Sequence, residues 1–219
     1  KEMKLRKLFL VGLVCVFLAP ISAFADGVKN PYFSATGGIL WTEDSSIGSP
    51  DATLNATARG VNAQIELDTG VAFTFAAGAE IMPQVRGEVE YSFKTSDADK
   101  VKSDVGTANL SGFDADTHSM MFNGYYDFAS ETKWKPYLGG GIGVSWINIE
   151  GAGLGVTVDS TSDGEFSYQV LAGVGYEYNS NISLNTGYRY FGSGDATFNG
   201  VANASVDTHA LELGVRYTF

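Results

Sequence analysis

Period-two alternation of large apolar with small or polar residues recurs along this chain, and it leaves few folds open. Its clearest instance is the last twelve residues, 208–219. His209, Leu211, Leu213, Val215, Tyr217 and Phe219 share one parity, while Thr208, Ala210, Glu212, Gly214, Arg216 and Thr218 share the other. Successive side chains of a strand point to opposite faces, so this segment reads as a strand with one apolar and one wet face. An exposed apolar strand at a chain end invites edge-to-edge pairing. A closed sheet removes the edge, and within a membrane only helices and closed barrels satisfy every backbone group.

The same alternation marks residues 32–41, 71–81, 85–94, 117–128, 134–149, 165–178 and 182–192, so eight strands are expected. Met82-Pro83-Gln84, the short link 129–133 and Asn179-Ser180-Asn181 are tight connections. By contrast, 42–69, 95–116, 150–164 and 193–207 are long, polar and glycine-dotted. An even strand count, with short turns at one end and long loops at the other, predicts an all-β fold. It is an eight-stranded antiparallel up-and-down transmembrane β-barrel of the outer-membrane type. Strands of ~10 residues suit a tilted bilayer crossing. Aromatics gather at both strand ends: Tyr126, Phe128, Trp134, Tyr176, Tyr178, Tyr217 and Phe219 at one, Trp41, Tyr91, Phe93, Trp146, Phe166, Tyr168 and Tyr190 at the other. Two such girdles are what the two interfaces of a bilayer require.

Lys4, Arg6 and Lys7 precede an apolar run over 8–19, and Ala23-Phe24-Ala25 has the small-x-small form of a cleavage site. The expected organisation is a signal peptide over 1–25 and a barrel domain over 26–219. Asp26 then starts on the periplasmic side, the first strand runs outward, and the four long loops are extracellular. Beyond the leader no apolar run is long enough for a membrane-spanning helix. Cys15, the one cysteine, lies in the leader, so no disulfide is expected in the barrel. The whole chain has 25 acidic and 14 basic residues. The leader removes one acid and four bases, leaving a net charge of about −14 at neutral pH, which argues against nucleic acid as a partner.

An eight-stranded barrel is only wide enough for its own side chains, so the inward parity should fill it. That parity carries Glu80, Arg86, Glu88, Glu90, Lys94, Asp127, Glu177, Arg189, Glu212 and Arg216. Opposite charges there should pair, because an isolated buried charge is costly. The turn at Pro83 is expected to set Ile81 against Val85 and Glu80 across from Arg86. A similar register in the last hairpin sets Arg189 beside Glu212, and the link after Phe128 brings Asp127 near Tyr137. Gly139, Gly141, Gly143, Gly173, Gly175, Gly187 and Gly214 should make room for long side chains from strands two to four. Two uses stay open: a salt-bridged plug that carries no ions, and a narrow gated cation path, since acids outnumber bases six to four in that set.

Catalytic chemistry is not expected. The two histidines, His118 and His209, are both outward and near the outer rim, on strands across the barrel from each other. Ser119 beside His118 faces inward, which separates a nucleophile from its base. No zinc set exists, and Asp51, Glu66, Asp68, Asp159 and Asp163 lack the spacing of a calcium loop. Neither a metal nor a cofactor is expected.

The segments Lys135-Pro136-Tyr137-Leu138-Gly139-Gly140-Gly141, Thr186-Gly187-Tyr188-Arg189-Tyr190-Phe191 and Gly214-Val215-Arg216-Tyr217-Thr218-Phe219 resemble the small outer-membrane β-barrels of Gram-negative bacteria. These include opacity proteins, bacterial surface antigens and the transmembrane domain of outer membrane protein A. The resemblance implies that the terminal strand, with Tyr217 and Phe219, is the signal read by the barrel-assembly machinery. With Phe219 last, no peptidoglycan-binding domain is expected to follow. It implies residence in the outer membrane among its lipid and lipopolysaccharide. Function does not transfer with a barrel. The expected role is a structural, adhesin or surface-antigen protein of the cell envelope, meeting host or surface ligands through its loops. Glu43, Asp44, Asp51, Glu66 and Asp68 against Arg59 in the first loop suggest basic or cation-bridged partners. The alternative is a small porin or conduit for small solutes or ions. Val61, Ala63, Ile65 and Leu67 continue the outward parity of the second strand, so a strand extension above the membrane is expected there.

Overall fold

The computed structural model describes residues 29–42, 45–46, 63–67, 69–103, 106–153, 156–161, 164–194, 196–198, 202–204 and 207–219. The expected leader over 1–25 and the charged first-loop positions Glu43, Asp44, Asp51, Arg59 and Asp68 lie outside them.

Eight antiparallel strands close into a barrel: β1 (Lys29–Thr42), β4 (Gly70–Met82), β5 (Val85–Ser103), β6 (Gly106–Asp127), β7 (Trp134–Gly153), β9 (Glu165–Glu177), β10 (Ile182–Ser193) and β13 (Asp207–Thr218). Each pairs with its neighbours in sequence, and β13 closes on β1. That seam runs from Tyr32 opposite Thr218 to Thr42 opposite Thr208. At its lower end the Phe219 amide donates to the Pro31 carbonyl at 3.0 Å. Closure leaves no free edge within the span, so every strand there has a partner on both sides. No helix occurs among the described residues.

Two ends are distinct. Tight connections join β4 to β5, β6 to β7 and β9 to β10 at one end, where the N-terminal side of β1 also lies. At the first of these, Pro83 presets its own backbone angle and Gln84 takes a left-handed φ of 67°. Asn179 caps its turn by accepting the amides of Asn181 and Ile182 at 2.9 and 2.7 Å.

Beyond the opposite end the strands continue. β5 and β6 extend as one hairpin to Ser103 opposite Gly106, across residues 95–116 that composition assigns to a loop. β3 (Ala63–Leu67) pairs with the upper part of β5, and β2 (Ser45–Ser46) pairs with β3. β8 (Val156–Thr161) folds back on β7, again inside an expected loop. The result is one raised sheet, in the order β2-β3-β5-β6-β7-β8, standing on one side of the barrel. A separate small hairpin pairs β11 (Ala196–Phe198) with β12 (Ala202–Ala204).

Burial runs opposite to that of a water-soluble protein. Leu213 is 71% exposed, Phe122 67% and Ile142 59%, all on the outer surface, whereas Glu90 is 1% and Arg189 3% exposed inside. Water would not tolerate so large a continuous apolar face. A hydrocarbon surround accounts for it, with aliphatic positions in a band between aromatic girdles.

Candidate functional site

The lumen holds the polar residues, and each strand delivers every second side chain to it. At the turn end Arg86 grips Asp127 in a two-pronged pair, Nε to Oδ2 at 2.5 Å and Nη2 to Oδ1 at 2.9 Å. Glu80 is the register partner of Arg86. Its carboxylate instead accepts the Asn30 side-chain amide at 2.6 Å. A bulge sets Val85 opposite Met82 rather than Ile81, and Arg86 turns to the neighbouring β6, where it stands opposite Tyr125 and diagonal to Asp127. Asp127 also stands opposite Tyr137. Glu177 lies at the half-open rim, 3.7 Å from the Lys135 ammonium.

One layer deeper, Glu88 makes no direct ion pair among the described residues. Its oxygens accept from the Tyr32 hydroxyl at 2.9 Å, the Tyr125 hydroxyl at 2.7 Å and the Asn123 amide at 3.0 Å. Arg86 donates to the Tyr32 hydroxyl at 3.0 Å, which links the two layers. At mid-barrel Arg189 holds Glu212 through Nε and Nη2 at 2.8 and 3.1 Å. Its Nη1 reaches both Glu90 and Gln169 at 2.6 Å. Glu212 lies diagonally from Arg189, whose direct register partner is Ala210. Gln169 and Asn123 complete the web: the Gln169 amide donates to Asn123 Oδ1 at 2.7 Å, and the Asn123 amide to Glu90 at 2.9 Å.

The lumen thus carries one connected network from Asp127 to Glu212, contributed by β1, β5, β6, β9, β10 and β13. Charged hydrogen bonds in such an enclosed place are short and strong.

Small residues on the facing strands give this web its space. A Cβ on Gly139 would strike the Tyr125 ring, one on Gly141 the Asn123 side chain and one on Gly143 Met121. Gly173 and Gly187 leave room for the Tyr137 hydroxyl. Tyr32, Asn123, Tyr125 and Gln169 are site residues that a search for charge passes over. Their signal in the sequence is inward parity combined with hydrogen-bonding capacity.

Toward the loop end the lumen is tightly packed, with small hydroxyl residues such as Ser92, Thr117, Ser119, Ser145 and Ser167 around a few large apolar side chains. Leu40, Met121 and Phe191 are all at or below 1% exposure. The Lys94 ammonium sits 3.3 Å from the centre of the Phe191 ring and 3.5 Å from Ser119 Oγ. Above it Ser145 and Ser167 share a 2.6 Å hydrogen bond. Toward the turn end a cavity of about 50 Å³ remains, bordered by Tyr32, Glu88, Tyr137, Asn185 and Arg216. Arg216 makes no ion pair among the described residues; its guanidinium lies over the Tyr32 ring at 5.4 Å. Space for a few waters ends at that plug.

His118 and His209 face outward, and the Ser119 hydroxyl faces the lumen, fully buried. His118 Nδ1 is hydrogen-bonded to the Tyr91 hydroxyl at 2.7 Å, and His209 Nδ1 to the Tyr188 hydroxyl. Among the described residues no three His, Cys, Asp or Glu side chains converge on a point where a metal could sit.

Comparison with known proteins agrees with this architecture. Residues 11–219 match the model of the outer membrane protein beta-barrel domain. Outer membrane protein PagN of Salmonella typhimurium is 29% identical over 116 residues, covering 45% of this chain and 48% of that protein. An opacity protein of Neisseria gonorrhoeae is 29% identical over 128 residues, covering 46% of this chain and 53% of the relative. The chain thus spans about half the length of the curated relatives it matches. Among solved structures, neisserial surface protein A superimposes with a TM-score of 0.60 at 24% identity, over 89% of this chain and all of that one. OprG of Pseudomonas aeruginosa does so with a TM-score of 0.55 at 19% identity, over 88% and 98%. The matched family model, with the closed eight-stranded barrel and its outward apolar band, establishes that this chain belongs to the outer membrane protein β-barrel domain family and resides in the bacterial outer membrane with its long loops outside.

Proposed function

We propose that this protein is a non-catalytic surface protein of the cell envelope. It works as an adhesin or exposed antigen through the structure it raises above the membrane. The observation that carries the reading is the raised sheet from β2 to β8. A barrel needs only enough strand to cross the bilayer, ~10 residues, yet β5 and β6 run for 19 and 22 residues. The excess length lies beyond the outer girdle, where it can meet only the surroundings of the cell. The plug of Leu40, Met121 and Phe191 supports the same reading, because it leaves the outward half of the lumen without a path. PagN and the opacity proteins are similar to this chain over about half their lengths, and a surface role accords with that likeness. The acidic residues of the loop sequences favour a basic or cation-bridged ligand.

The test is binding of intact cells to a host-cell or matrix surface. The comparison is a variant in which residues 97–112 are replaced by a short turn. The trimmed barrel should keep its heat-modifiable migration and lose binding. Undiminished adhesion after trimming this hairpin and the other long loops would reject the reading.

A further inference from the structure

Asp116-Thr117-His118 on β6 and Asp207-Thr208-His209 on β13 are the same three residues, and they use both histidines of the chain. The two strands are four apart in either direction around the closed sheet, so they stand on opposite sides of the barrel. In each, threonine is buried toward the lumen, and aspartate and histidine face out.

The neighbours repeat as well. On the preceding strand Phe93 is opposite His118, and Tyr190 is opposite His209. On the following strand the register partner is tryptophan both times, Trp146 for His118 and Trp41 for His209. In both places a tyrosine two residues before the facing aromatic bonds the imidazole Nδ1: Tyr91 in one, Tyr188 in the other. The likeness continues down the strands. Tyr126 and Phe128 correspond to Tyr217 and Phe219, and Pro136-Tyr137 precedes Trp146 by the same distance as Pro31-Tyr32 precedes Trp41.

These groups lie on the outward girdle, just above the lipid-facing Met120 and Leu211. In the outer membrane this face is bathed by outer-leaflet lipids, met here at the depth of their headgroups. An aromatic girdle needs amphipathic rings. It does not need an acid and a histidine, nor the same arrangement in the same register on opposite sides. The chemistry fits a sugar. Trp41 and His209 stack at 5.8 Å with planes 14° apart, which presents a flat face to the C–H side of a pyranose. The aspartate accepts from sugar hydroxyl or amide groups, and the tyrosine and imidazole are the polar groups to meet a phosphate.

We propose that each half of the barrel carries one binding site for the sugar headgroup of an outer-leaflet glycolipid, two equivalent sites on opposite sides. The test uses His118→Phe, His209→Phe and the double variant, which keep an anchoring ring and remove the imidazole. The full chain is reconstituted in vesicles of phosphatidylethanolamine with purified lipopolysaccharide, or with phosphatidylglycerol instead. Lipid retained after gentle extraction is counted by native mass spectrometry. The wild type should retain two lipopolysaccharide molecules, each single variant one, and the double none, with affinity at an altered site falling about tenfold or more. Phospholipid retention should not change. Equal lipopolysaccharide retention by the double variant overturns the proposal, as does phospholipid retained with the same histidine dependence. If a phenylalanine variant lacks heat-modifiable migration, Asp116→Asn and Asp207→Asn read the same two sites without a change of shape, and the same losses are expected.

Discussion

Removing the Arg189 guanidinium would leave Glu90 and Glu212 buried in the middle of the lumen without their counter-charge. Breaking a buried charge set from one side costs about 3–5 kcal/mol, because each carboxylate stays buried and uncompensated. Arg216 is a useful contrast. Both arginines line the cavity, but Arg216 has no ion pair among the described residues and its clearest contact is the Tyr32 ring. Such a contact is worth about 0.5–1 kcal/mol. Arg189→Met should therefore lower stability several times more than Arg216→Met in urea unfolding from lipid vesicles. Equal losses would mean that the network around Arg189 is not what holds the lumen together. Strand parity is enough to assign either arginine to the lumen side. It does not say which carboxylate a guanidinium turns to: Arg86 stands opposite Glu80 and binds Asp127. The neutral members Asn123, Gln169 and Tyr125 were illegible for another reason. A polar residue on the inward parity looks the same whether it completes a network or merely fills space.

At the scale of elements, legibility follows the solvent on each face. Within the bilayer one face of a strand meets hydrocarbon and the other the lumen, so alternation is strong and all eight crossing strands can be read. Above the girdle β5 and β6 run on beyond the hydrocarbon. The backbone ladder continues there without a hydrophobic period to mark it. Only the parity of Val61, Ala63, Ile65 and Leu67 betrays an extension, and the last three fall in β3 on the edge of β5. The repeat between the two half-barrels stayed hidden because loops of unequal length change the spacing from strand to strand. At the closing strand, Phe219 packs edge-on against Phe33 at 5.7 Å and against Tyr217 at 5.1 Å. Its amide bond to Pro31 is the last of the seam. These contacts are peripheral, so deleting Phe219 should cost a formed barrel only about 1 kcal/mol. If the terminal strand is the signal for assembly, the same deletion should sharply reduce the amount of protein in outer-membrane fractions. Normal levels would show that the terminal ring carries no such signal.

For the whole molecule the deciding quantity is whether the cavity at the turn end connects to the outside. Eight strands leave an interior that side chains can fill, and here they fill it unevenly. About 50 Å³ stays open between Tyr32, Glu88 and Arg216. Leu40, Met121 and Phe191 close the other half with almost no exposed surface. An ion moving outward would have to pass the Arg189 cluster and then displace Lys94 from the Phe191 ring, two steps against fully packed groups. In planar bilayers the wild type should give no current steps above a protein-free control. Shaving the plug with Leu40→Ala, Met121→Ala and Phe191→Ala removes bulk only above the cavity and leaves the Arg189 network in place. That triple variant should remain folded, though destabilised by several kcal/mol, and should show discrete openings as water from the loop side reaches the polar layer. Steady conductance by the wild type would mean that the apolar layer opens in the membrane, and the lumen would then have to be read as a conduit rather than as the filled core of a surface scaffold.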